Sequence, residues 1–208
     1  QGSGLVALSA TPAGGTYSGM YVSGSSFDAS LAPAGQHKVY YSYTDIHGCT
    51  NTDSALVTVH PSPVADAGVD TMLCPGSCVV LQATGGGSYK WSTGSTNASL
   101  TLCPSVAGFY SLTVTNSYGC TDTDTVHVGL HAKPLADAGQ DDTLCPGESA
   151  LLTALDAGVG ASYSWSNGQG GAQVSVSPAV TTTYRLTVTS ANGCTATAEQ
   201  TITVSPAP

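Results

Sequence analysis

Polar and apolar residues alternate with a period of two in several short runs. Tyr110, Leu112 and Val114 fall on one face of such a run, with Ser111, Thr113 and Thr115 on the other. Tyr184, Leu186 and Val188 repeat the arrangement, with Arg185, Thr187 and Thr189 facing away. Val39, Tyr41 and Tyr43 take the same role earlier in the chain. Val126 with Val128, and Ile202 with Val204, mark a closing strand. Val79, Leu81 and Ala83, and likewise Ala150, Leu152 and Ala154, mark a strand of a facing sheet. Such alternation gives a strand one buried and one solvated face, so these runs predict paired sheets around small cores. Trp91 and Trp165, each after a Ser-Tyr pair, are the central core candidates, with Tyr110 and Tyr184 beside them.

The runs belong to a repeat. Pro63–Gly76 reads PVADAGVDTMLCPG, and Pro134–Gly147, 71 residues on, reads PLADAGQDDTLCPG. Ser88–Gly94 (SYKWSTG) returns as Ser162–Gly168 (SYSWSNG), now 74 residues on, so the last repeat carries three extra residues within Leu155–Ala161. Gly119-Cys120-Thr121 returns as Gly193-Cys194-Thr195. The first 60 residues share only the back half of the pattern, in Gly48-Cys49-Thr50 and Val57-Thr-Val59. The expected organisation is therefore all-β. It comprises an N-terminally truncated domain at 1–60, a domain with two disulfides at 61–131 and a domain with one at 132–208. A period in the low seventies suits a small sandwich better than a helical solenoid.

Composition narrows the function. The chain has 208 residues with 25 Gly and 11 Pro, which suits strands and tight turns. Lys plus Arg is 4 against 13 Asp plus Glu, a formal net charge of −9. No basic surface exists to neutralise phosphates, so nucleic acid and anionic membrane surfaces are excluded as partners. No apolar run approaches the length of a membrane-spanning helix, so no direct insertion is expected.

Seven cysteines supply the staples that thin β cores need. The last domain has only Cys145 and Cys194, which predicts that they pair. Repeat equivalence transfers this to Cys74 and Cys120. Closing a loop of nearly 50 residues would stabilise each domain by about 4 kcal/mol. Cys49 is the counterpart of Cys120 and Cys194, and its expected partner precedes the sequence, so it is unpaired here. Cys78 and Cys103 stand where the last repeat has Ser149 and Ser177. Both positions change together, as a second bridge requires. A zinc site from Cys74, Cys78, Cys103 and Cys120 is disfavoured, because only the first pair has ligand spacing and the last repeat lacks two of the four. Disulfides on this scale imply an oxidising, extracytoplasmic compartment.

No catalytic constellation is legible. There is no G-x-S-x-G elbow and no H-E-x-x-H pair among the five histidines. The segment therefore reads as non-enzymatic and requires no cofactor. Acidic residues gather at the domain junctions, Asp66 and Asp70 at one and Asp137, Asp141 and Asp142 at the next. Hard oxygen ligands of this kind suit Ca²⁺, and the competing reading is Asp bonded to turn amides. Asp122 and Asp124 lie on one side of the last strand, where charge would discourage edge pairing. Asn97-Ala-Ser99 is a formal N-glycosylation sequon.

The motifs Pro-x-Ala-Asp-Ala-Gly-x-Asp, Leu-Cys-Pro-Gly, Ser-Tyr-x-Trp-Ser-x-Gly, Tyr-x-Leu-Thr-Val-Thr and Gly-Cys-Thr together resemble the PKD-like and immunoglobulin-like tandem repeats of large secreted and surface proteins of Bacteroidota, many exported by the type IX route. Pro12–Gly19 (PAGGTYSG), with Ser26-Phe27-Asp28 and Ala34-Gly35, resembles a sister type. The resemblance implies an elongated array of small β-sandwich domains in an adhesin-type extracellular protein. It also implies O-glycosylation at Asp-Ser/Thr-apolar motifs, here at Ser54, Thr71, Thr125 and Thr143. The leading expectation is a stalk or filament segment whose partners are further repeats of the same long chain. The alternative is a glycan- or protein-binding accessory module of a secreted hydrolase, with Tyr17, Tyr21, Tyr40 and Tyr118 as contact aromatics.

Overall fold

The computed structural model describes residues 4–205, and those residues form strands and turns without a helix. Each repeat contributes six strands. The first has β1 (Leu5–Ala7), β2 (Thr16–Ser18), β3 (Val22–Ser23), β4 (Ser26–Asp28), β5 (Gly35–Thr44) and β6 (Thr50–Val59). The second has β7 (Thr71–Leu73), β8 (Val79–Gln82), β9 (Ser88–Trp91), β10 (Ser99–Leu102), β11 (Gly108–Thr115) and β12 (Thr121–Leu130). The third has β13 (Asp142–Leu144), β14 (Ala150–Thr153), β15 (Ser162–Trp165), β16 (Gln173–Val176), β17 (Thr182–Thr189) and β18 (Thr195–Val204).

The second and third repeats share one topology. Four strands run in the order β7-β12-β11-β9 or β13-β18-β17-β15, and two more pair as β10-β8 or β14-β16. The short opening strand lies parallel to the end of the closing one, Leu73 against Leu130 and Leu144 against Val204. The first repeat differs. It has sheets of order β2-β5-β6 and β1-β4-β3, with β5 and β6 a ten-residue hairpin running from Gly35↔Val59 to Thr44↔Thr50.

Alternation is what builds the core. In the third repeat Leu152, Val174 and Val176 from the two-stranded sheet meet Trp165, Leu186, Val188 and Ile202 from the four-stranded one, all buried. Two sheets packed face to face through alternating inward residues make a β-sandwich. Each Trp is buried and its indole N–H finds a carbonyl, Trp91 that of Asn97 at 3.0 Å and Trp165 that of Gly171 at 3.1 Å. Tyr184 is buried and Tyr110 half-buried. The first repeat gathers Phe27, Ala29, Ala32, Val39 and Val59 into its own core.

The expected boundaries at 60/61 and 131/132 follow the repeat; the packing divides the chain differently. One compact unit holds the described residues up to Val69 with Val80–Thr101 and Phe109–Val126. The other holds Asp70–Val79, Leu102–Gly108 and the described residues from His127 on. The middle repeat thus contributes to both.

Candidate functional site

Two turns recur, and they carry the cysteines. The Gly-Cys turn occurs three times with the same hydrogen bonds. The amides of Asp45, Asn116 and Ser190 donate to the carbonyls of Cys49, Cys120 and Cys194 at 2.9, 3.0 and 2.8 Å. The amides of Gly48, Gly119 and Gly193 donate back to the carbonyls of Asp45, Asn116 and Ser190 at 3.0, 3.0 and 2.9 Å. The opening side chain then accepts from the cysteine amide, through Asp45 Oδ1 at 2.9 Å, Asn116 Oδ1 at 3.0 Å and Ser190 Oγ at 3.2 Å. Asp, Asn and Ser are interchangeable here because each offers a short acceptor to nearby amides. The glycines sit at φ of 84°, 79° and 80°, a left-handed conformation that a Cβ would strain.

The Cys-Pro-Gly turn occurs twice. Ser77 N–H donates to the Cys74 carbonyl at 3.0 Å and Glu148 N–H to the Cys145 carbonyl at 3.1 Å. Proline second and a positive-φ glycine third, Gly76 at 87° and Gly147 at 90°, is the chemistry of a type II turn.

The structure joins one turn of each kind across successive repeats. Cys74 is bonded to Cys194, with S–S 2.01 Å and Cα–Cα 5.3 Å. Cys49, Cys120 and Cys145 are free thiols. The expected bridges within repeats, Cys74–Cys120 and Cys145–Cys194, are therefore corrected, and the reason is strand direction. Cys194 immediately precedes β18, whereas Cys145 follows Leu144, the partner of Val204 at its far end. Ten residues of extended chain separate the two ends, about 30 Å at roughly 3.3 Å per residue. A disulfide tolerates at most about 7 Å between Cα atoms. The same order holds for Cys120, before β12, and Cys74, after the Leu73 that pairs with Leu130. The opening-strand cysteine of one repeat instead meets the turn cysteine of the next, and Cys194 is 1 % exposed in that contact.

Cys120 occupies the same turn but meets no cysteine among the described residues. There the His60 ring stacks on Tyr118, with centroids 3.7 Å apart and planes 7° from parallel. Asn116 Nδ2 donates to the Pro61 carbonyl at 2.8 Å, and the half-buried Cys120 thiol lies 4.0 Å from the His60 carbonyl. Sequence reading missed this contact. Its signal was the alignment of His60 with His131, each just past a closing strand.

The structure holds Cys78–Cys103, with Cα–Cα 4.1 Å. At the equivalent place in the third repeat the Ser149 and Ser177 hydroxyls hydrogen-bond at 2.8 Å. A covalent and a polar clasp are thus alternative solutions to one geometry.

The junction acids bind amides. Asp66 Oδ1 accepts from Gly68 N–H at 2.8 Å and Asp137 Oδ1 from Gly139 N–H at 2.9 Å. Asp70 accepts from His127 N–H at 2.8 Å, Asp141 from Thr201 N–H at 2.7 Å and Asp142 from Thr143 N–H at 2.8 Å. Among the described residues no three His, Cys, Asp or Glu side chains come together as metal ligands. Asp122 and Asp124 do more than repel a neighbouring edge. They accept from the Ala65 and Ala67 amides, both at 2.8 Å, and fasten the segment leading into the second repeat. The third repeat has Ala196 and Ala198 there, and the first has Asn51 and Asp53.

Of the four contact aromatics, Tyr17 and Tyr21 pack against the core of the first repeat. Tyr40 is exposed, with Lys38 Nζ 5.3 Å from its ring centroid, and Tyr118 is exposed while stacked on His60. A groove of about 300 Å³ lies in the first repeat, lined among others by Tyr17, Tyr40, Tyr41 and Asp53. Its wall is fixed by the Tyr41 hydroxyl, which donates to the Pro12 carbonyl and accepts from Gly15 N–H, both at 2.6 Å. Ser54, Thr125 and Thr143 are exposed and Thr71 is half-buried.

No protein-family model and no curated protein matches the chain. Among solved structures it is similar to the first two immunoglobulin domains of DIP-gamma, at 12 % identity and TM-score 0.34, covering 71 % of this chain and 99 % of that one. It is also similar to the insect immune protein hemolin, at 13 % identity and TM-score 0.39, covering 81 % and 56 %. A three-domain segment of titin is similar at 14 % identity and TM-score 0.38, covering 93 % and 84 %. The DIP-gamma and titin segments are tandem immunoglobulin domains.

Proposed function

We propose that this chain is a structural stalk or filament segment of an extracellular, adhesin-like surface protein, a non-catalytic spacer of three modules. The observation that carries the reading is the Cys74–Cys194 bridge, which spans two successive repeats instead of closing one. Tension applied at the two ends passes from Cys74 to Cys194 through the bridge. A sequence separation of 120 residues, holding most of the second and third repeats, is then outside the load path. On the loop-entropy account a closure of this length stabilises the fold by about 5 kcal/mol. The two disulfides support an oxidising, extracytoplasmic compartment. Sugar attached at the exposed Ser54, Thr125 and Thr143 would add bulk and protease shielding.

Single-molecule pulling between the termini tests the reading. In the oxidised protein the released contour length should fall short of full extension by about 400 Å, at about 3.4 Å per residue, and reduction should restore it. Full release without reductant overturns the proposal. The groove of the first repeat supports a second reading, a glycan- or protein-binding accessory module. Glycan-array binding that disappears in Tyr40→Ala would favour it.

A further inference from the structure

We infer that Met72 and His127 of the second repeat form a binding site for one soft metal ion, copper(I). The two residues lie on neighbouring strands. β7 runs parallel to β12 with Met72 opposite Gly129, and His127 lies two residues before Gly129, on the same face of the sheet. A Cβ at Gly129 would overlap the Met72 Sδ and come within 3.2 Å of the His127 Cε1. The glycine therefore leaves the space into which the thioether and the imidazole converge. Met72 is 49 % exposed, so an ion reaches the sulfur from solvent. The net charge of −9 favours any cation at the surface.

The third repeat keeps the frame and lacks the donors. Asp70 Oδ1 accepts from the His127 amide at 2.8 Å, and Asp141 Oδ1 accepts from the Thr201 amide at 2.7 Å. Met72 pairs with Gly129 as Thr143 pairs with Thr203. Met72, His127 and Gly129 thus stand where the third repeat has Thr143, Thr201 and Thr203. Three threonines have given way together to a thioether, an imidazole and the one residue without a side chain to keep them apart. The donor pair decides the metal. A thioether is a soft ligand that selects copper(I), and imidazole also suits copper. Calcium takes oxygen ligands and gains nothing from either group.

The test uses the whole chain carrying Cys49→Ser, Cys120→Ser and Cys145→Ser, which removes the free thiols as competing ligands and keeps both disulfides. The chain has two methionines, so isotopic labelling of their methyl groups gives two NMR signals. Copper(I), supplied under nitrogen with no added reductant, should shift the Met72 signal to completion at an equimolar ratio. The His127 ring signals should move with it. The signal of Met20, which is 72 % exposed, should stay in place. Met72→Leu keeps an apolar side chain of similar volume over Gly129. His127→Thr installs the residue of the third repeat. Each change should weaken copper(I) binding by at least about tenfold in competition with a chromophoric chelator. An unmoved Met72 signal, Met20 and Met72 signals that move together, or a Met72→Leu protein that binds as tightly as its parent overturns the inference. None of these outcomes bears on the spacer reading, which stands on Cys74–Cys194.

Discussion

Two side chains set out the chemistry at single positions. The Ser30 hydroxyl donates to Asp28 Oδ1 at 2.6 Å and the Ser30 amide to the same atom at 3.0 Å. These bonds, the hydroxyl first, hold the Asp28 carboxyl below its ordinary 3.8, against a smaller opposing push from burial. A carboxyl with a lowered pKa in the folded state adds stability that is present above the unfolded value and lost as pH falls through the folded one. NMR titration should place the Asp28 midpoint below 3.8, and Ser30→Ala should move it upward. Gln200 is the reverse case. It is buried, its Nε2 donates to the Gln140 carbonyl, and its Oε1 has no partner among the described residues. The aligned residue of the second repeat is the fully buried Val126. An unsatisfied buried acceptor costs more than one modest hydrogen bond returns. Gln200→Val should therefore stabilise the protein by about 1 kcal/mol in chemical denaturation.

At the scale of strands and their clasps, inward phase was readable from alternation alone. Leu112, Val114, Leu186 and Val188 are fully buried, as their period-two pattern requires. The Cys78–Cys103 bridge was also readable, because the two positions differ together from Ser149 and Ser177. That substitution should run in the other direction. The double change Ser149→Cys with Ser177→Cys should close a second such bridge, since the hydroxyls already lie 2.8 Å apart. A loop of this size adds about 3–4 kcal/mol in the entropy account, and the shift in the unfolding midpoint between oxidised and reduced protein measures it. The roles of Asp122 and Asp124 were less legible. A carboxylate on a strand reads as solvated charge until the segment that donates to it is placed beside it.

At the scale of the molecule, successive repeats are joined by a disulfide at Cys74–Cys194 and by an aromatic stack at His60–Tyr118. The stack is the weaker, about 0.5–1.5 kcal/mol beyond area burial for a ring pair. His60→Ala should therefore raise the labelling rate of the neighbouring Cys120 by about threefold to tenfold if opening limits labelling. Exposed Cys145 should label at an unchanged rate. Equal labelling of Cys120 in both proteins would show that the stack does not guard the thiol.

The sequence by itself determined that the chain is all-β, which side chains of the alternating runs face inward and which two positions exchange a hydroxyl pair for a disulfide. These are local or pairwise properties, carried by periodicity and by comparison of one repeat with another. Only the tertiary structure decided the partner of Cys74. Composition and spacing are the same whether the bridge closes one repeat or joins two. The choice depends on the opening strand lying parallel to the closing strand, with Leu144 beside Val204. That pairing puts the two cysteines of one repeat at opposite ends of a ten-residue strand. A bond of about 2 Å between sulfurs cannot span that length, so the partner had to come from the next repeat.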